Sequence, residues 1–71
     1  MDKNVRILPV EAKDCTAQFF ARHVCIVEFY LGNAMVFAYP YATWEEGAKQ
    51  AAHFCQTPIS DGEIELARRH L

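Results

Sequence analysis

Between Val24 and Trp44 the chain reads VCIVEFYLGNAMVFAYPYATW, a stretch that holds six of the nine aromatic residues and one charge, Glu28. Its β-branched and aromatic content reads as strand, and the interruption at Gly32-Asn33 reads as a turn. Glycine at the first central position of a two-residue loop meets the type II′ requirement, because that residue must take a positive φ. A hairpin follows, and a simple register sets Leu31 against Ala34, Phe29 against Val36, Val27 against Ala38 and Cys25 against Pro40.

Those pairs make one face of small and aliphatic side chains. The other face then carries Tyr30 with Met35, Glu28 with Phe37, Ile26 with Tyr39 and Val24 with Tyr41. Both faces are apolar, so the hairpin requires cover on each side, unlike a sheet with one face in water.

Upstream, Val5 to Val10 reads as a strand limited by Pro9 to a sheet edge or strand end, after a polar start, Met1 to Asn4, expected to fray. From Cys15 to Leu31 the odd positions are apolar or nearly so without a slip in phase, and no Gly, Pro or Asn intervenes. The economical reading is one long strand over 15–31, bent or bulged at Arg22-His23. A competing pattern, Ala12, Cys15 and Phe19 on one face, fits a helix over 12–22.

Downstream, Thr43-Trp44-Glu45-Glu46 is a capping box that opens a helix over 43–56. Its apolar stripe is read as Trp44, Ala48, Ala51, Ala52 and Cys55, so small that the helix should lie close on the odd face of the sheet. Thr57-Pro58 ends it, and Ser60-Asp61-Gly62-Glu63 starts a second helix over 60–70. In that helix Ile64, Ala67 and Leu71 form the apolar side, Leu66 points away, and Arg68, Arg69 and His70 suit the helix C-terminus.

The expected fold is therefore α+β, a single domain over 1–71. It is a three-stranded antiparallel meander, at 4–10, 15–31 and 34–41, followed by two C-terminal helices packed on the sheet. At 71 residues the core is small, and self-association is one of the usual supplements to its stability.

Charge narrows the function classes. Nine acidic residues against seven Lys plus Arg give a net charge of −2, with no basic cluster of the kind that meets nucleic acid. Glu28, Gly32, Asn33 and Pro40 keep the longest apolar run short of a membrane span. Three cysteines and no apolar leader point to a reducing, cytoplasmic setting.

His23-Val24-Cys25 and His53-Phe54-Cys55 invite a metal, yet residues two apart on a helix project about 200° from each other. No metal or cofactor is expected, and no cysteine has the exposed, electropositive setting of a nucleophile. The chain is expected to be a non-enzymatic protein-binding module, of the kind found among small bacterial or phage accessory proteins. It would act as a homodimer, on a larger protein, or both. Its partner-binding residues would be the even face, Glu28, Tyr30, Met35, Phe37, Tyr39 and Tyr41, whose Tyr and Met content suits an interface. The alternative is a small-molecule or catalytic pocket with Glu28 as acid or base and Tyr30, Tyr39, Tyr41 and Trp44 as walls.

Overall fold

The computed structural model describes residues 2–69. Its order is strand β1 (Lys3–Pro9), a 3₁₀ turn (Ala12–Asp14), helix α1 (Ala17–Arg22), strands β2 (Cys25–Leu31) and β3 (Ala34–Tyr41), and helices α2 (Trp44–Gln56) and α3 (Asp61–Arg69). The strands form an antiparallel meander with β2 at the centre, and two helices follow it, as the sequence predicts.

Residues 15–23 do not belong to the central strand. Thr16 caps α1, its Oγ1 accepting from the Phe19 amide at 3.1 Å. Phe19 O closes the other end, accepting from the His23 amide at 3.1 Å, while the two rings sit 4.4 Å apart. The alternation that suggested a strand uses Ala17 and Ala21, both good helix formers, and β-branched residues crowd together only from Val24 onward. The competing helix over 12–22 is realised only in its second half, Ala17–Arg22. Ala12–Asp14 is a separate 3₁₀ turn with Cys15 and Thr16 extended between the two, and the expected bend at Arg22-His23 is the helix-to-strand junction.

Gly32 takes φ 59°, as the hairpin requires. Leu31 pairs with Ala34 and Tyr30 with Met35, but Phe29 then meets Phe37 in place of Val36. Val36 is an extra residue, a β-bulge, and every side chain after it changes face. The expected register therefore fails beyond Met35. The shift sends three rings, Phe37, Tyr39 and Tyr41, to the side of Phe29, and sends the compact Ala38 and Pro40 to the other side.

Both long helices lie on that odd face. The core joins Val27, Phe29, Leu31, Ala34 and Val36 of the hairpin to Ala51 and Phe54 of α2 and Ala67 of α3, with Leu66 packed at its margin. The stripe read from the sequence is rotated: Trp44, Ala48, Ala52 and Cys55 are exposed, and Gly47, Ala51 and Phe54 are buried. Gly47 explains the rotation, since a Cβ there would stand 2.8 Å from Cys25 Sγ and 3.3 Å from Val27 Cγ2. Only a residue without a side chain lets α2 come so close. Phe54 then meets Phe29 edge-on at 5.0 Å.

Thr43 Oγ1 accepts from the Glu46 amide at 3.1 Å and Ser60 Oγ from the Glu63 amide at 3.2 Å, so both predicted helix starts are capped. Leu66 is half-buried against the core, not turned away, while His70 and Leu71 lie outside the described residues. Nor is the polar start frayed at Lys3. That side chain is 6% exposed, and its ammonium donates to Phe54 O at 3.1 Å and Thr57 Oγ1 at 2.9 Å, with Glu63 Oε2 at 3.2 Å.

Candidate functional site

With α2 and α3 on one side, no helix among the described residues covers the opposite face of the sheet beyond its α1 end. The strand register builds it from Asn4, Arg6 and Leu8 of β1, Ile26, Glu28 and Tyr30 of β2, and Met35, Ala38 and Pro40 of β3. The molecule measures 37 × 23 × 15 Å, and its short axis is the thickness of one sheet and one helix layer.

Glu28 stands in the middle of this open face and is 19% exposed. The Tyr30 hydroxyl donates to its Oε1 at 3.0 Å, and Arg6 Nη1 lies 3.9 Å from the same oxygen. Tyr30 on the same strand and Arg6 on the neighbouring one thus meet the carboxylate from two sides. Arg6 itself is 65% exposed, so the contact is loose. Around the pair, Met35 is 41% exposed and Val24 37%.

Of the six residues read as one partner-binding face, Glu28, Tyr30 and Met35 are brought together here. Phe37, Tyr39 and Tyr41 are not; the bulge carries them to the helix side, where Phe37 stacks on Tyr39 at 5.9 Å. Leu8 and Arg6, absent from the sequence-based set, join the open face because β1 pairs with β2 along its whole length.

At one end of the open face, α1 stands off the sheet and leaves a cleft of about 530 Å³. Leu8, Val10, Phe19 and Ile26 line it with the half-buried Cys15, whose thiol donates to Glu11 O at 3.2 Å. A second, shallower groove of about 270 Å³ runs on the helix side between β3 and the helices, walled by Phe37, Tyr39, Tyr41, Gln50, His53 and Glu63. Neither of these two cavities includes Glu28 or Trp44.

Cys25 is fully buried under Gly47, and burial pushes its thiol above the ordinary value, the reverse of an activated nucleophile. Tyr41 is also raised, first by burial and then by the nearby Glu46, Tyr39 and Cys25. Cys25 Sγ points to Thr43 O at 3.7 Å and His23 Nδ1 to Phe19 O at 3.1 Å, so this His-x-Cys pair is turned to the backbone. Among the described residues no three His, Cys, Asp or Glu side chains converge as metal ligands would, and no helix is long and apolar enough to cross a membrane. Compared with protein-family models, curated proteins and solved structures, the chain matches none.

Proposed function

We propose that this chain is a non-enzymatic protein-binding module that docks through the open face of its sheet, with a second copy of itself as the first partner. The observation that carries the reading is the placement of both long helices on one side. An apolar sheet face is stable against a second layer, and α3, the element available to supply one, is used elsewhere.

The face has the chemistry of an interface between copies. Ile26, Leu8, Tyr30 and Met35 supply apolar and aromatic area, and Glu28 beside Arg6 supplies a charge of each sign. A carboxylate covered by a partner needs a cation from that partner, and the exposed Arg6 of a second copy is one. The sheet face spans roughly 23 by 14 Å, well under the ~800 Å² per side of a standard stable interface, so the self-association it supports is weak.

Light scattering coupled to size exclusion tests this directly. From micromolar to millimolar protein, the mass is expected to rise from one chain to two, and Met35→Glu is expected to hold it at one with unchanged circular dichroism. A mass of one chain at every concentration overturns the self-association.

The cleft beside α1 favours a second reading, since about 530 Å³ lies within the ~300–1,000 Å³ of small-molecule sites. A ligand there would protect the half-buried Cys15 from alkylation while the exposed Cys55 reacts at its usual rate. A broad fragment panel that protects nothing leaves this reading without support.

A further inference from the structure

The bulge at Val36 leaves a row of aromatic rings beside the helices, of which Phe37 and Tyr41 are half-buried and Tyr39 is half exposed. We infer that this groove is a slot for one arginine side chain presented by a partner protein, a second site on the helix side that stands whether or not the open face self-associates.

Size argues for a side chain. At about 270 Å³ the groove falls short of the range typical of small-molecule sites, yet it holds one long side chain comfortably. Its wall is aromatic: Phe37 and Tyr39 lie within 20° of parallel, Tyr39 stands 6.2 Å from Phe29, and half of Tyr39 faces solvent. A cation is attracted to such ring faces within about 6 Å, and a guanidinium can lie flat on them while its edges remain free to donate.

Acceptors stand where those edges would be. Gln50 gives its amide nitrogen to Glu46 Oε1 at 3.5 Å, which leaves its carbonyl oxygen for a donor. That contact also fixes the Glu46 carboxylate beside Gln50, so its negative charge stands at this end of the groove. At the other end Glu63 is already engaged, with Lys3 Nζ 3.2 Å from its Oε2 and donating to its Oε1 at 3.5 Å, so the guest's donors are met at the Gln50 end. Lys3 neutralises Glu63 at one end of the groove, whereas Glu46, held against the lining Gln50 at the other, leaves one acid at the rim for a positive guest to meet.

The test is an NMR titration of isotope-labelled protein with blocked arginine amide, blocked citrulline amide and blocked lysine amide in parallel. Citrulline keeps the shape of arginine and lacks its charge. Saturable shifts at Tyr39, Tyr41, Gln50 and His53 are expected with arginine, with weaker binding of both other probes. Tyr39→Ala should weaken arginine binding by roughly two- to fivefold, and its half-exposed position keeps the fold out of question. Glu46→Gln should narrow the preference for arginine over citrulline. Shifts that do not saturate, citrulline bound as well as arginine, or arginine binding untouched by Tyr39→Ala would each overturn the site.

Discussion

Gly47 shows how far one residue can set the position of a helix. A glycine inside a helix costs about 1 kcal/mol relative to alanine, so its replacement by alanine would ordinarily stabilise α2. Here the added methyl meets Cys25 Sγ at 2.8 Å, and that sulfur is fully buried with no room to swing aside. Overpacking of this kind costs about 1–3 kcal/mol. Gly47→Ala is thus expected to lower stability by about 1–2 kcal/mol in chemical denaturation, and a gain in stability would refute the close approach. The same geometry divides the alanines: leucine should overpack at the buried Ala51 but not at the exposed Ala48. Cys25 also gives stability a pH dependence. Its folded pKa is raised above the ordinary 9.0 by burial, so the neutral thiol is the form the fold accepts. The unfolded chain therefore loses this proton first, and stability that is full below the ordinary value falls as pH rises through it. Tyr41, raised from 10.0 chiefly by burial, acts in the same direction at still higher pH. Urea unfolding followed from neutral to alkaline pH should show this decline, and Cys25→Ala should remove its first part.

Among elements, the unexpected tie is between the first strand and the junction of the two long helices. Lys3 places its ammonium at the C-terminal end of α2, where carbonyls lack helical partners, 4.4 Å from the Phe54 ring centroid and against Glu63 of α3. Lys3→Met keeps the stem and strands a mostly buried carboxylate, so a loss of about 2–3 kcal/mol is expected. In a double-mutant cycle Glu63→Gln should couple to it, the double variant losing less than the sum of the singles. Strict additivity by calorimetry would show that the pair does not act as a unit. Nothing in a lysine near the N-terminus signals this role, because its partners lie more than fifty residues away. Local chemistry, by contrast, was legible. Gly32-Asn33 gave the hairpin, Thr43 and Ser60 gave the helix starts, and the meander followed from them. The bulge was not legible, since any single residue of β3 could be the extra one and periodicity continues on either side of it. The rotation of α2 escaped for a related reason: a stripe drawn through hydrophobic residues passes over a glycine.

At the scale of the whole molecule, one missing layer governs what the chain can do. In the sequence both faces of the hairpin read as apolar, but nothing there showed that one bulge would divide the aromatic set. Glu28, Tyr30 and Met35 face outward, whereas Phe37, Tyr39 and Tyr41 line the groove, so the reading of a single aromatic interface becomes two surfaces of different character. The outward surface is apolar, centred on a mostly buried carboxylate, and the domain beneath it has a small core. Such a chain gains stability from whatever covers that surface, because a partner that binds only the folded state shifts the folding equilibrium by mass action. If the partner is a second copy, the melting temperature must rise with protein concentration. Met35→Glu adds a carboxylate beside Glu28 without disturbing the core, so the variant should melt at one temperature regardless of concentration. At high concentration it should fall below the parent chain, and the two should converge on dilution. A parent chain whose melting temperature is independent of concentration would overturn self-association through the open face.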